Sequence, residues 1–94
     1  MAKECRIRCE LSPGLFADEV VARIQAMGSD KRVGTITVMV SKNVVSSESG
    51  KSTRGTLRAY CTKVGKEFSA VVLPQASIEN GQSVIVPSSE VVRG

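Results

Sequence analysis

The chain has 94 residues, of which 41% are hydrophobic and 23% are charged, and its formal net charge at pH 7 is +4. This length predicts one domain over residues 1–94 and excludes two domains of ordinary size. The composition excludes a chain too polar to fold. Fourteen valines and five isoleucines against four leucines favour β-structure, because β-branched side chains pack well on a pleated sheet.

The first predicted element is a β-strand over residues 4–11. Apolar side chains at Cys5, Ile7 and Cys9 alternate with charged ones, and this period of two places the apolar set on one face of a strand. The charged residues also interrupt any apolar stretch of signal-peptide length, and no segment approaches the roughly 20 apolar residues of a membrane span. We therefore expect a cytoplasmic protein that has no membrane segment and whose cysteines are reduced thiols.

The next segment, residues 13–27, fits two structures. As a helix it places Phe16 and Ile24 on one apolar face, which local propensity favours. As a strand over its second half it alternates apolar and polar side chains, and residues 28–31 turn a hairpin into the following strand. The β-rich context favours the strand. An α+β fold with one helix at 13–27 packed on the sheet is the alternative to an all-β fold.

A strand pattern follows at residues 33–40, where Ile36 and Val38 share a face with Val40. Residues 41–55 are small and polar and include five serines. This stretch predicts an exposed flexible loop, a kind of segment that often carries function.

Two short motifs invite a functional interpretation that their context does not support. The sequence 49–53 is similar to the end of a phosphate-binding loop, but Val45 stands where that motif requires a glycine. Cys5 and Cys9 are four residues apart, which on a strand separates them by about 13 Å, too far to share one metal ion. We expect an ordinary loop and three apolar core cysteines.

The C-terminal half predicts further strands separated by clear turn signals. These strands cover residues 54–63, 67–73 and 83–86. A tight turn at 64–66 joins the first two, Pro74 is expected to end the second, and Asn80-Gly81 is a turn signal before the third. Val91-Val92 is expected to pair back onto the sheet.

The tail of the chain resembles a segment of SH3 domains. Its sequence, Val86-Pro87-Ser88-Ser89-Glu90-Val91, is similar to the segment in which a short strand meets a 3₁₀ turn of sequence Pro-Ser-Asn-Tyr-Val, and residues 55–92 resemble the end of an SH3-like barrel. The resemblance implies an all-β fold, a small SH3-like barrel of five or six short antiparallel strands. It does not imply polyproline binding, because the chain has no Trp and Glu90 replaces the tyrosine of the aromatic groove.

The outer face of strand 54–63 carries the candidate partner-binding residues. They are Arg54, Arg58 and Tyr60 on this strand, with Arg6 and Arg8 added if the first strand lies beside it. Guanidinium groups beside an aromatic ring suit phosphate contact and base stacking. The alternative is an ordinary solvated strand face, since Glu4 and Glu10 dilute the positive field, and we favour this alternative.

Catalysis has little support in the residue inventory. The chain contains no histidine, which is the commonest general base, and no pair of carboxylates has a spacing that places two acids in one cleft. We therefore expect no enzyme, no cofactor and no metal. The expected function is a non-catalytic binding module for a protein partner. The alternative is a weak nucleic-acid-binding SH3-like domain that uses the basic face of strand 54–63.

Overall fold

Antiparallel β-strands and two short 3₁₀-helices make up the computed structural model, which describes residues 3–47 and 53–92. The strands are β1 (Lys3–Pro13), β2 (Glu19–Met27), β3 (Val33–Ser41), β4 (Val45–Ser47), β5 (Arg54–Val64), β6 (Phe68–Ser77), β7 (Gly81–Pro87) and β8 (Val91–Val92). The 3₁₀-helices are Lys42–Val44 and Ser88–Glu90. The prediction of an all-β fold is confirmed.

The alternative helix at 13–27 is wrong, because the second half of this segment forms β2. All nine residues of β2 pair with β3 in one unbroken antiparallel register from Glu19 opposite Ser41 to Met27 opposite Val33. The predicted turn joins them: the Gly28 N–H donates to the Arg32 carbonyl at 2.9 Å. Pairing along a full strand therefore overrides the local helix preference of the segment.

β1 and β5 form the centre of the sheet. They pair over residues 3–10 and 54–61, and the strand order is β3-β2-β1-β5-β6-β7. On its other edge β1 pairs with β2 at residues 10–13 and with β8 at residues 6–7. β5 likewise pairs with both β4 and β6. Both central strands are therefore held from two sides.

Contacts between the ends of the sheet nearly close it into a barrel. β7 continues through the second 3₁₀-helix into β8, which returns to β1 as expected. The β2–β3 hairpin packs across the core, β2 against β7 and β3 against β6. At the edge of β3, the Ile78 N–H donates to the Thr37 carbonyl at 2.9 Å and the Thr37 N–H donates to the Glu79 carboxylate at 2.7 Å.

The core lies between these strands and contains the side chains that the period of two assigns to it. The largest fully buried apolar side chains are Ile7, Ile24, Leu57, Leu73, Val38, Val71 and Val86. The three cysteines are buried among them, as predicted. Alternation along β1, β3 and β5 therefore identifies the inner face of each of these strands correctly.

Pro74 does not end its strand, and that prediction is wrong. β6 continues to Ser77, and its pairing with β7 shifts register between Val72 and Ser77. A proline has no N–H to donate to a ladder, but an irregular stretch of strand does not require that donor. Pro74 therefore sits where the sheet tolerates it.

The segment predicted as a loop, 41–55, contains more regular structure than its composition indicates. After the first 3₁₀-helix, β4 pairs with residues 55–57 at the start of β5. Gly55 is buried at this contact, and a Cβ there would collide with the backbone oxygen of Ser46. Residues 48–52, which include most of the motif similar to a phosphate-binding loop, lie outside the described residues.

Candidate functional site

The five candidate side chains lie on one outward-facing surface of β1 and β5. This surface, called the arginine face below, comprises Arg6, Arg8, Arg54, Arg58 and Tyr60. Arg6 and Arg8 belong to this surface because β1 lies beside β5 as its hydrogen-bonded neighbour. In this register Arg6 lies directly opposite Arg58, and Tyr60 lies opposite Glu4.

The opposed pair Arg6 and Arg58 places two positive charges side by side, which destabilises a sheet unless other groups compensate. Arg58 Nη2 donates to the backbone carbonyl of Asn43 at 3.0 Å, and its Nη1 lies 3.9 Å from Glu4 Oε1. Arg6 Nη1 donates to Ser46 Oγ at 3.1 Å. The first 3₁₀-helix and β4 therefore supply acceptors for both guanidinium groups.

The charge of the arginine face is mixed. Glu4 and Glu10 lie opposite Tyr60 and Arg54 in the β1–β5 register. The ion pair between Arg58 and Glu4 is long and its side chains are 43% and 54% exposed, so it contributes little to stability, about 0–1 kcal/mol. Among the described residues, the guanidinium of Arg8 has no hydrogen-bond or ion-pair partner. The face thus offers fewer uncommitted positive charges than its sequence indicates.

A cleft of about 350 Å³ borders this face and adds a residue that the sequence analysis missed. Arg23, on β2 opposite Glu10, lines the cleft together with Arg8 and Glu90. The side chain of Arg23 donates to Ser12 Oγ at 3.1 Å. Its position depended on whether 13–27 is a helix or a strand, so the sequence could not place it. Side chains of both signs line the cleft.

A second surface, on the outside of β5, β6 and β7, is mostly apolar, although the ladders also place Lys63 opposite Ala70 and Ser83 opposite Val72. This apolar face comprises Tyr60, Phe68, Ala70, Val72, Ile85 and Pro87. The ladders place these residues in contact as three cross-strand pairs: Tyr60 with Val72, Ala70 with Ile85, and Phe68 with Pro87. Its largest side chains are open to solvent, with Tyr60 50%, Ile85 43% and Phe68 38% exposed.

The apolar face cannot be identified from the sequence, because its strand β6 lacks the alternation that separates inner from outer positions. Residues 68–73 are apolar at nearly every position, so a strand there has apolar side chains on both faces. The inner set, including Val71 and Leu73, is buried in the core. The outer set occupies positions that are ordinarily polar on the solvated face of an antiparallel sheet. Tyr60 belongs to both surfaces and joins the apolar face to the arginine face.

The cysteines lie beneath these surfaces on the inner side of β1 and β5. Burial raises the pKa of the Cys9 thiol to about 11. The sulfur atoms of Cys5 and Cys61 are 2.7 Å apart. Within residues 3–47 and 53–92, no group of three or more Cys, Asp or Glu side chains is arranged to hold a metal ion.

The chain matches no protein-family model, no curated protein sequence and no solved structure. In the part of the chain that the structure describes, no helix has the length and apolar character needed to cross a membrane.

Proposed function

We propose that this chain is a non-catalytic, cytoplasmic binding module that recognises a protein partner through its apolar face. The observation that carries the proposal is the continuity of six apolar side chains across three strands, from Tyr60 to Pro87. Contiguous apolar patches on a protein surface mark sites of interaction. Tyrosine and arginine are the residue types enriched at such interfaces, and here Tyr60 lies two residues from Arg58 on the same face of β5.

The barrel belongs to the SH3-like class in this proposal. Its support is the order of the last elements: β7 leads through the 3₁₀-helix Ser88–Glu90 into β8, which pairs with β1. This order agrees with the segment that the tail resembles. The proposed binding surface differs from an aromatic polyproline groove, since it consists of aliphatic side chains with two aromatic ones.

Nucleic-acid binding is the second candidate function, and the opposed pair Arg6 and Arg58 is the observation that favours it. Phosphate oxygens would separate and neutralise these two charges. Against it, both guanidinium groups already have acceptors within the chain, and Glu4 and Glu10 share their face. A protein partner whose surface has an apolar centre bordered by acidic groups would fit both the apolar face and the arginine face.

The test compares three immobilised baits: the wild type, Ile85→Asp and Ile78→Asp. Ile78 is the matched control, because it is 70% exposed but lies in the β6–β7 turn outside the apolar face. Each bait is incubated with nuclease-treated lysate of the source organism, and bound proteins are quantified by mass spectrometry. We expect a protein that the wild type and Ile78→Asp retain and that Ile85→Asp retains about tenfold less, as for a central interface residue.

Two results would contradict the protein-binding proposal. Equal retention of every protein by all three baits would show that the apolar face binds nothing specifically. A parallel incubation with untreated lysate and a fourth bait, Arg58→Glu, tests the nucleic-acid candidate. Retention in untreated lysate that nuclease abolishes, that Arg58→Glu loses and that depends steeply on salt would favour this candidate, since each neutralised phosphate releases counterions. Circular dichroism of each bait establishes beforehand that the substitution leaves the fold intact.

A further inference from the structure

Two of the three cysteines meet in the core between β1 and β5. Cys5 pairs with Ala59 and Cys61 pairs with Lys3 in the ladder, so the two cysteines are diagonal neighbours on the inner face. Their sulfur atoms lie 2.7 Å apart, and both side chains are buried. The bond length of a disulfide is about 2.05 Å, so the sulfur atoms are within about 1 Å of bonding distance.

We propose that Cys5 and Cys61 form a covalent modification site, a dithiol that peroxide-class oxidants convert into an intramolecular disulfide linking β1 to β5. In the first step one thiolate attacks hydrogen peroxide, an S–O bond forms, the O–O bond breaks and one water leaves after protonation. In the second step the other sulfur attacks the sulfenic acid, the S–S bond forms, the S–O bond breaks and a second water leaves. Two thiols thus lose two electrons and two protons, and one peroxide is reduced to two water molecules.

Cys9 is an internal control for this chemistry. It lies on the same face of β1 as Cys5, but four residues along a strand separate them by about 13 Å. The thiolate is the reactive form of a cysteine, and burial raises the pKa of the Cys9 thiol to about 11, which lowers its thiolate fraction further. The site is therefore specific to one pair, although all three cysteines are buried.

The disulfide would closely constrain the centre of the barrel. It would close the chain between β1 and β5 into a covalent loop, which lowers the conformational entropy of the unfolded state. The neighbours of the two cysteines include Arg6 and Tyr60, whose side chains lie on the opposite, outer face of the same strands. Oxidation would therefore fix the strand pair that carries the arginine face.

The experiment maps thiols after oxidation of the fully reduced wild type. The protein is treated with hydrogen peroxide and unfolded in denaturant, the remaining thiols are then blocked with N-ethylmaleimide, and the intact mass is measured. Trypsin then places each cysteine in its own peptide, because basic residues bound the peptides 4–6, 9–23 and 59–63. We expect a mass lower by two hydrogens with one blocked thiol, a linked peptide pair 4–6 with 59–63, and Cys9 in the blocked peptide.

Thermal melting provides the second measurement. We expect oxidation to raise the melting temperature of the wild type and of Cys9→Ala by on the order of 10 °C, reversibly with dithiothreitol, and to leave that of Cys5→Ala unchanged. Three blocked thiols after oxidation, a link that includes Cys9, or disulfides only between molecules would each overturn the proposal. The peptide map uses the wild type, so it decides the question even if an alanine variant does not fold.

Discussion

Gly55 offers the sharpest test of how β4 docks onto β5, through the substitution Gly55→Ala. Gly55 is buried, and a Cβ at this position would meet the backbone oxygen of Ser46 and lie 2.9 Å from Leu11 Cδ1 and 3.0 Å from Ser47 Cα. Two of these three neighbours are backbone atoms, which cannot rotate away. The alanine variant must therefore move β4 from β5 or strain both strands.

The matched control is Gly34→Ala on β3, where an added Cβ meets nothing within 4 Å. Overpacking a tight site costs about 1–3 kcal/mol, whereas replacing an unconstrained strand glycine by alanine gains about 0.4–1 kcal/mol. The two variants should thus differ in free energy of unfolding by about 1.4–4 kcal/mol, with the wild type between them.

Urea unfolding followed by far-UV circular dichroism measures this difference, because a single small domain ordinarily unfolds in one step. The slopes of the transitions should agree among the three proteins, so that the midpoints report stability alone. Equal midpoints for Gly55→Ala and Gly34→Ala would refute the close approach of β4 to β5. They would also mean that β4 does not hold Ser46 in place to accept a hydrogen bond from Arg6.

Two further predictions concern the core and the edge of the barrel. Cys9→Ser places a hydroxyl among buried apolar side chains and should lower the free energy of unfolding by about 1–3 kcal/mol. The control, Arg8→Ser, lies one residue away on the outer face and should change the free energy of unfolding by less than about 0.5 kcal/mol. Coincident urea midpoints for the two variants would show that the face assignment of β1 is wrong. The backbone N–H of Thr37 lowers the pKa of the Glu79 carboxyl, so this contact stabilises the fold above the ordinary carboxyl pKa, and the contribution is lost as the pH falls through the lowered value. The wild type should therefore have a higher free energy of unfolding than Glu79→Gln at pH 7, and urea unfolding at pH 3 should give a smaller difference between the two proteins. A difference in free energy of unfolding that does not depend on pH would contradict the ionic character of the contact.

The sequence predicts the half-buried strands well because their physical signal is direct. β1, β3 and β5 each bury alternate side chains, and a period of two has no other common explanation. Residues 13–27 were ambiguous because their apolar positions suit both a helical and an extended face. The pairing of β2 with β3 resolves this ambiguity, and a pairing between strands is not visible within either strand alone.

The candidate surfaces were predictable only in part, and for a similar reason. The outward direction of Arg58 and Tyr60 follows from alternation along β5. The neighbours that define their environment, Asn43 and Val72, come from other elements and depend on register. The apolar face is hidden in the sequence because its members look like core residues, and only the closure of the barrel determines which of them remain outside.

β5 contributes both to the core of the barrel and to the proposed binding surface. Because its side chains alternate from Arg54 to Cys61, a slip of one residue would bury Arg58 and expose Leu57. Pairing with β1 on one edge and with β4 and β6 on the other fixes the register and prevents that slip. Arg58 is further held by the Asn43 carbonyl. A partner would therefore meet a preformed surface, and binding would avoid much of the conformational entropy that ordering a loop requires.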